Sequence, residues 1–269
     1  MKGKRILIVE PHPDDTAIMA GGTVAKMSAE GSEIMVVTVT DGERGTMDRN
    51  ITSSDVLRRI TRKEAETASR LVNIQRQVFL GYTNHDVTFE VERELKYKIL
   101  AIIRDFKPNI VMTYDPYVND EPNPDHRTVS FATYDAVTFS HYHLEHLPEE
   151  NEIATSFIVD EIWFFNTAKP NYEVDVTSKM EDKLSYMACY RSQMDSMITE
   201  VTLRLSSAGY TSKLLESGSY MDILKGLFID SSMDNGRLIE RFRIVRPFIS
   251  ERVPHLIRLG FVQPNRETP

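Results

Sequence analysis

One cysteine, Cys189, occurs in 269 residues, so the chain has no internal disulfide framework and no cysteine-based zinc knuckle. A reducing, cytoplasmic compartment is the expectation that follows. Tryptophan is equally scarce: Trp163 sits in the apolar stretch Ile162-Trp163-Phe164-Phe165, which reads as a buried strand and not as a stacking platform. Long hydrophobic runs are missing as well. Met1 to Arg5 leads only into Ile6-Leu7-Ile8-Val9 before Glu10, too short for a signal sequence. Nothing approaches the ~20 apolar residues of a membrane span. Positive charge is not in excess, since the formal net charge is −8. That argues against a nucleic-acid partner, whose recognition needs clustered Lys and Arg. The one basic stretch, Arg58 to Lys63, runs straight into Glu64 and Glu66 and reads as a helix face. No G-x-G-x-x-G or Walker pattern follows the first strand, which argues against a nucleotide-binding domain.

What is present supports a packed α/β domain, with 41% hydrophobic and 27% charged residues. Residues 6–9, rich in branched side chains, predict a buried strand; 16–29 predict a helix that stops at Gly31. A second strand is expected over 34–39, a polar loop over 43–54, and a helix over 55–71 capped by Ser54. A short strand at 78–80, a periodic helix over 90–106 and a strand at 110–112 follow. Strands separated by helices of this length imply βαβ crossovers and a mostly parallel sheet. The second half is less regular: a helix at 131–137, strands at 162–165 and 172–176, a helix over 178–190, and mixed helical signal over 195–240 with turns at Gly209, Gly218 and Gly236. The tail after Gly260 is expected to be loosely ordered.

Ligands of open parallel sheets bind at the carboxyl ends of the strands, and two dense polar clusters fall there. One is Pro11-His12-Pro13-Asp14-Asp15, after the first strand; the other is Asn119 to Arg127, after the strand at 110–112. His12, Asp15 and His126 would offer two imidazoles and a carboxylate, a donor set suited to catalytic Zn2+ with one position left for water. Asp14 would then take a proton from that water as general base and later pass it to a leaving amine. Each cluster alone has a plainer reading: the first as a capped helix start, the second as a run of turns.

These residues resemble the LmbE-like, or PIG-L, family of N-acetylglucosamine deacetylases. Pro11 to Asp15 followed by Gly21-Gly22-Thr23, Thr40 to Gly45, Phe79-Leu80-Gly81-Tyr82, and Asn123 to Arg127 are similar to its landmarks. Lys169-Pro170-Asn171-Tyr172, Lys183, Ser192-Gln193 and Glu240-Arg241-Phe242 resemble most the archaeal diacetylchitobiose deacetylase branch. The resemblance implies a Rossmann-like three-layer α/β sandwich, zinc held by His12, Asp15 and His126, and Asp14 as base. Asp125 would support the site. It implies hydrolysis of an N-acetyl group from an N-acetylglucosamine-type sugar, and a homo-oligomer. One domain over 1–269 is expected, with a core at 1–130 carrying the metal site and 131–269 completing the pocket and supplying oligomer contacts.

The chain departs from that pattern. Asn123 stands where the family usually has the first histidine of His-Pro-Asp-His, a group assigned to the oxyanion or the leaving group. An amide donates a hydrogen bond but delivers no proton. A catalytically weak or inactive sugar-binding relative is therefore the alternative reading. The family's substrate-binding arginine aligns at or next to Thr61, making Arg62 the candidate, and Tyr190 stands where many relatives have histidine. His255 is the candidate for a histidine that the archaeal branch lends to a neighbouring subunit. His141, His143 and His146 form an H-x-H-x-x-H run that reads as a polar surface segment, and His85 as a solvated loop residue.

Overall fold

The computed structural model describes residues 2–145, 155–246 and 252–261. His146 and the tail beyond Phe261 lie outside them. Branched apolar residues that cannot leave one χ1 well without clashes favour extended backbone. They form β1 (Arg5–Glu10) and β2 (Glu33–Thr40). β3 (Arg76–Tyr82), β4 (Ile110–Tyr114) and β5 (Glu161–Phe165) follow, the first and last carried more by aromatic than by branched residues. Between them run α1 (Asp15–Ala29), α2 (Ser54–Leu71), α3 (Phe89–Phe106) and α4 (Pro124–Phe139).

Beyond β5 come β6 (Tyr172–Asp175), α5 (Met180–Ala188), α6 (Arg191–Ser207), α7 (Lys213–Ser217) and α8 (Tyr220–Leu224). A π-helical turn (Lys225–Ile229) leads to β7 (Met233–Asp234) and β8 (Arg237–Val245), and α9 (Arg252–Arg258) ends the described chain.

The strands share one mixed sheet in the order β3-β2-β1-β4-β5-β8-β6, with β7 paired to β8. β3 through β5 are parallel to one another, whereas β8 is antiparallel to both β5 and β6. Alternate residues of β1 face opposite cores. Ile6 and Ile8 pack with Ala17, Val24, Ala65, Leu184 and Met194 from α1, α2, α5 and α6. Leu7 and Val9 pack with Ile99, Ile103, Val129 and Ala136 from α3 and α4. The result is a Rossmann-like three-layer sandwich. Strand order reverses between β1 and β4, so the loops leaving these two strands diverge and open a crevice at their carboxyl ends. Among the described residues, no helix is long and apolar enough to cross a membrane.

Several boundaries differ from the sequence expectation. Ser53, not Ser54, caps α2: its backbone is extended and its hydroxyl accepts from Val56 N. The helix expected at 131–137 begins at Pro124, because Asn123 caps it and Pro124 fills the first turn, where a missing N–H costs nothing. The mixed stretch over 195–240 resolves into most of the long α6, the short α7 and α8, the π-helical turn and a β-hairpin. Asn235 (φ 50°) and Gly236 (φ 78°) supply the two left-handed residues of its tight turn, the Asn-Gly signature of a two-residue hairpin.

Candidate active site

β1 ends at Glu10, and the chain turns through Pro11-His12-Pro13 into α1. Asp14 occupies the N-cap position of α1 but its side chain makes no capping bond. Instead, the buried Glu10 carboxylate accepts from Thr16 N at 3.1 Å and from the Thr38 hydroxyl at 2.7 Å. Glu10 thus does the capping, which leaves both aspartates for other work. The plain helix-cap reading of this motif is not how the residues are used.

Across the crevice, α4 starts at Asn123, and its first turn presents Asp125 and His126 to the β1 loop. Three donor atoms converge. His12 Nδ1 lies 3.1 Å from His126 Nε2, and Asp15 oxygens lie 3.3 Å from the former and 3.6 Å from the latter. Edges of ~3.3 Å are what a tetrahedral ion with ~2.0–2.1 Å bonds requires. The far sides of both rings face carboxylates. His12 Nε2 is 3.1 Å from Asp125 Oδ2, and His126 Nδ1 is 3.2 Å from Glu121 Oε1, at an angle off the hydrogen-bond direction. Each carboxylate favours a proton on the far nitrogen and a lone pair on the near one. The near nitrogens, 3.1 Å apart with an Asp15 oxygen beside each, can turn lone pairs to one ion once the proton that His12 holds has left, so the donor set fits a metal. These are also the sole such cluster among the described residues.

Asp125 is fully buried and receives His85 N at 2.7 Å and Val87 N at 3.1 Å besides His12. Burial pushes its carboxyl up, but the His12 and backbone hydrogen bonds outweigh it and hold the carboxyl low. Asp15 accepts from His12 N at 2.8 Å and from the Tyr114 hydroxyl at 2.7 Å. Tyr114, the last residue of β4, also stacks on His126 with centroids 4.2 Å apart.

The two aspartates titrate in opposite directions. Burial and then the charge of Asp15 push Asp14 up to about 7. For Asp15, burial is overcome by His126 and His12, which hold it below the usual carboxylate range. Burial lowers His12, yet Asp15 and Asp125 together raise it to about 10, so the metal-free chain keeps a proton in the cluster. A metal entering must displace that proton.

The cavity beside the triad holds about 600 Å³ and is lined by His12, Asp14, Asp15, Arg44, Asn84, His85, Tyr114, Asn123, His126 and Gln193, with Ile18, Met19, Met47, Met197 and Phe228 as an apolar wall. Of the residues singled out from sequence, His12, Asp14, Asp15, Asn123, Asp125 and His126 are brought together. Asn123 caps α4, its Oδ1 accepting from Asp125 N at 2.9 Å.

Arg62 is placed elsewhere. It forks onto Asp41 at 2.7 and 3.0 Å, sits over Phe79, and is not among the cavity-lining residues. Thr61 is buried and donates to Asp41 O at 2.6 Å. Arg44, part of the Thr40 to Gly45 stretch but given no role from sequence, is the arginine at the cavity wall. His255 is exposed on α9, also off the cavity. His141 and His143 lie near the end of α4; Arg104 grips the carbonyls of Ser140, Tyr142 and Glu145 there. His85 is exposed in a turn, as expected of a solvated loop residue, and it also lines the cavity. Tyr114 and Glu10 had no local signal beyond position, each being the last residue of a strand, whereas Glu121 lies inside the polar cluster from Asn119 to Arg127.

Fold and site together define an α/β protein whose switch point carries a His–Asp–His cluster with a buried carboxylate beside it. The model of the PIG-L family, GlcNAc-PI de-N-acetylase, matches residues 7–137. Diacetylchitobiose deacetylase of Thermococcus kodakarensis is 31% identical over 201 residues, covering 74% of this chain and 73% of that protein. The chain belongs to the PIG-L family. Among solved structures, N,N'-diacetylchitobiose deacetylase from Pyrococcus horikoshii superposes with a TM-score of 0.71 at 29% identity, covering 93% of this chain and 85% of that one. A 4-carboxy-2-hydroxymuconate hydratase from Pseudomonas putida shares the fold, with a TM-score of 0.63 at 19% identity over 98% of this chain and 100% of that one. One fold therefore carries different chemistries, and function has to be argued from the site.

Proposed function

We propose that the chain is a zinc-dependent N-deacetylase acting on an N-acetylglucosamine-type amino sugar or its conjugate. The observation that carries this reading is the convergence of His12 Nδ1, His126 Nε2 and Asp15 at 3.1–3.6 Å, beside an Asp14 whose carboxyl is pushed up. His12, Asp15 and His126 would hold the ion, which when bound lowers the pKa of water to about 7 and polarises a carbonyl oxygen. Asp14 accepts the proton of the attacking water; its raised pKa suits a base working near neutral pH. Asp125 fixes the ring of His12, and Tyr114 holds Asp15, so neither side chain has to reorganise during the reaction. The cavity volume admits a sugar, and its amide and guanidinium groups (Asn84, Gln193, Arg44) offer partners to hydroxyls.

Names of the relatives support the substrate class, since the family and the Thermococcus protein are named for removing acetyl groups from glucosamine units. A reducing, cytoplasmic compartment is part of the same proposal, and the free thiol of Cys189 supports it. A homo-oligomer is part of the same proposal, checked by sedimentation.

A second reading, a catalytically weak sugar-binding relative, is favoured by Asn123 alone, whose side chain is spent on the cap of α4. Metal analysis with acetate-release assays on N-acetylglucosamine and N,N'-diacetylchitobiose separates the two. Stoichiometric zinc with turnover supports the deacetylase. Zinc and sugar binding without turnover supports the weak relative, and no zinc in protein purified without chelator rejects both.

A further inference from the structure

Amide hydrolysis needs a proton for the leaving amine as well as a base for the water. Most donors around the cavity are committed. His12 and His126 each turn one nitrogen to a carboxylate and the other to the triad. The Tyr114 hydroxyl donates to Asp15. Arg44 Nη1 is held by Asp86 Oδ2 at 2.9 Å and Asn84 O at 3.2 Å. Asn123 caps α4, and no amide releases a proton.

His85 remains. It lines the cavity, its ring has no partner among the described residues, and it is exposed, so solvent can refill a proton. Its backbone is also constrained. A φ of 69° is uncommon for a residue with a Cβ and costs on the order of 1 kcal/mol. The N–H freed by that turn donates to Asp125 Oδ2 at 2.7 Å, the same oxygen that His12 Nε2 approaches. The loop therefore fixes His85 to the carboxylate that orients His12. Strain of this kind persists where surroundings over-determine it, commonly at active sites.

We propose that His85 is the general acid that protonates the leaving amine, an inference resting on the deacetylase reading. When the tetrahedral adduct collapses, the C–N bond breaks and its electron pair passes to nitrogen. The imidazolium of His85 gives its proton to that nitrogen and becomes neutral imidazole. Products are acetate and the free amino sugar; water is the co-reactant, and its proton leaves through Asp14 to solvent.

His85→Gly is the informative variant. Glycine adopts positive φ without strain and keeps the N–H on Asp125, so only the ring is removed. In the zinc-loaded chain, with N-acetylglucosamine and N,N'-diacetylchitobiose, kcat should fall about 10²–10⁴-fold. KM should stay within about threefold. Zinc stoichiometry should be unchanged, the thermal midpoint equal or higher, and added imidazole should restore part of kcat. His85→Asn, which tolerates the backbone but has no proton to give, should be as slow as glycine. A glycine variant as active as wild type overturns the proposal, as does a loss that imidazole does not restore or that follows loss of zinc. A wild-type chain inactive on both sugars overturns the deacetylase reading and this one with it.

Discussion

Replacing Asp125 with asparagine changes one atom and should disable metal binding through the second layer of contacts. The carboxylate takes His12 Nε2 and His85 N on Oδ2, and Val87 N on Oδ1. An amide has a single acceptor oxygen. With that oxygen in the Oδ2 place, the new NH2 faces Val87 N–H, and one buried donor is stranded at a cost of about 1–3 kcal/mol. Turned over, the NH2 faces His85 N–H and His12 Nε2. The His12 ring then answers by accepting at Nε2 and carrying its hydrogen on Nδ1, the atom that should face the metal. Both outcomes weaken the site. Losing such a partner typically costs 10–100-fold in metal affinity, or about 1.4–2.8 kcal/mol. Competition with a chromogenic chelator at fixed pH measures this, and circular dichroism checks that the variant is folded. A folded Asp125→Asn chain whose zinc Kd stays within about threefold of wild type would refute the assignment of Asp125 as the group that orients His12.

Asp14→Asn should abolish turnover by ~10²–10⁴-fold while zinc stays bound; an active variant would refute the base assignment, which falls on a carboxyl that burial and Asp15 shift upward in the metal-free chain. The same shift has a stability sign. Its native pKa is raised by burial and Asp15, so ionising Asp14 disfavours the metal-free fold, and stability is lost as pH climbs from the unfolded value through about 7. Asparagine removes that penalty, and its metal-free melting midpoint above pH 7 should be higher than wild type; a lower one contradicts this. Asn123→Ala removes the α4 cap and should cost about 1 kcal/mol in denaturant unfolding, while Asn123→Asp keeps most of it; equal losses would show that the cap contributes nothing. Lys183 and Glu240 form a buried pair at 2.7 Å, and Glu240 also accepts from Gly22 N and Thr23 N. Lys183→Met leaves the carboxylate buried without its cation and should cost about 3–5 kcal/mol by urea titration; a loss under about 1 kcal/mol would mean the charge is solvated.

Local periodicity made the first half legible. Branched runs such as Ile6 to Val9 and Ile34 to Val39 can settle into little but a buried strand, and the helices between them force parallel crossovers. α4 was half-hidden, since Asn123-Pro124-Asp125 reads as a turn until its cap and first-turn proline are recognised as a helix start. The hairpin at Asn235-Gly236 was hidden by flanking helical signal, although its turn residues announce it. His12, Asp14, Asp15 and His126 could be named from residue type and from their position after strand ends. Arg62 could not be placed, because whether a guanidinium faces a cavity or a neighbouring Asp41 depends on helix rotation against the sheet.

The sequence by itself determined the α/β alternation, the two polar clusters and their donor types, because these follow from steric preferences and chemistry within a few residues. Only the tertiary structure decided that the clusters meet. That depends on β1 lying beside β4, a pairing across a hundred residues set by burial of whole sheet faces. It also decided the supporting contacts. Glu10 caps the helix that Asp14 does not, Tyr114 anchors Asp15, and Asp125 draws His12 and the His85 loop together. Each joins groups whose hydrogen-bonding needs can be met only once the chain has buried them side by side.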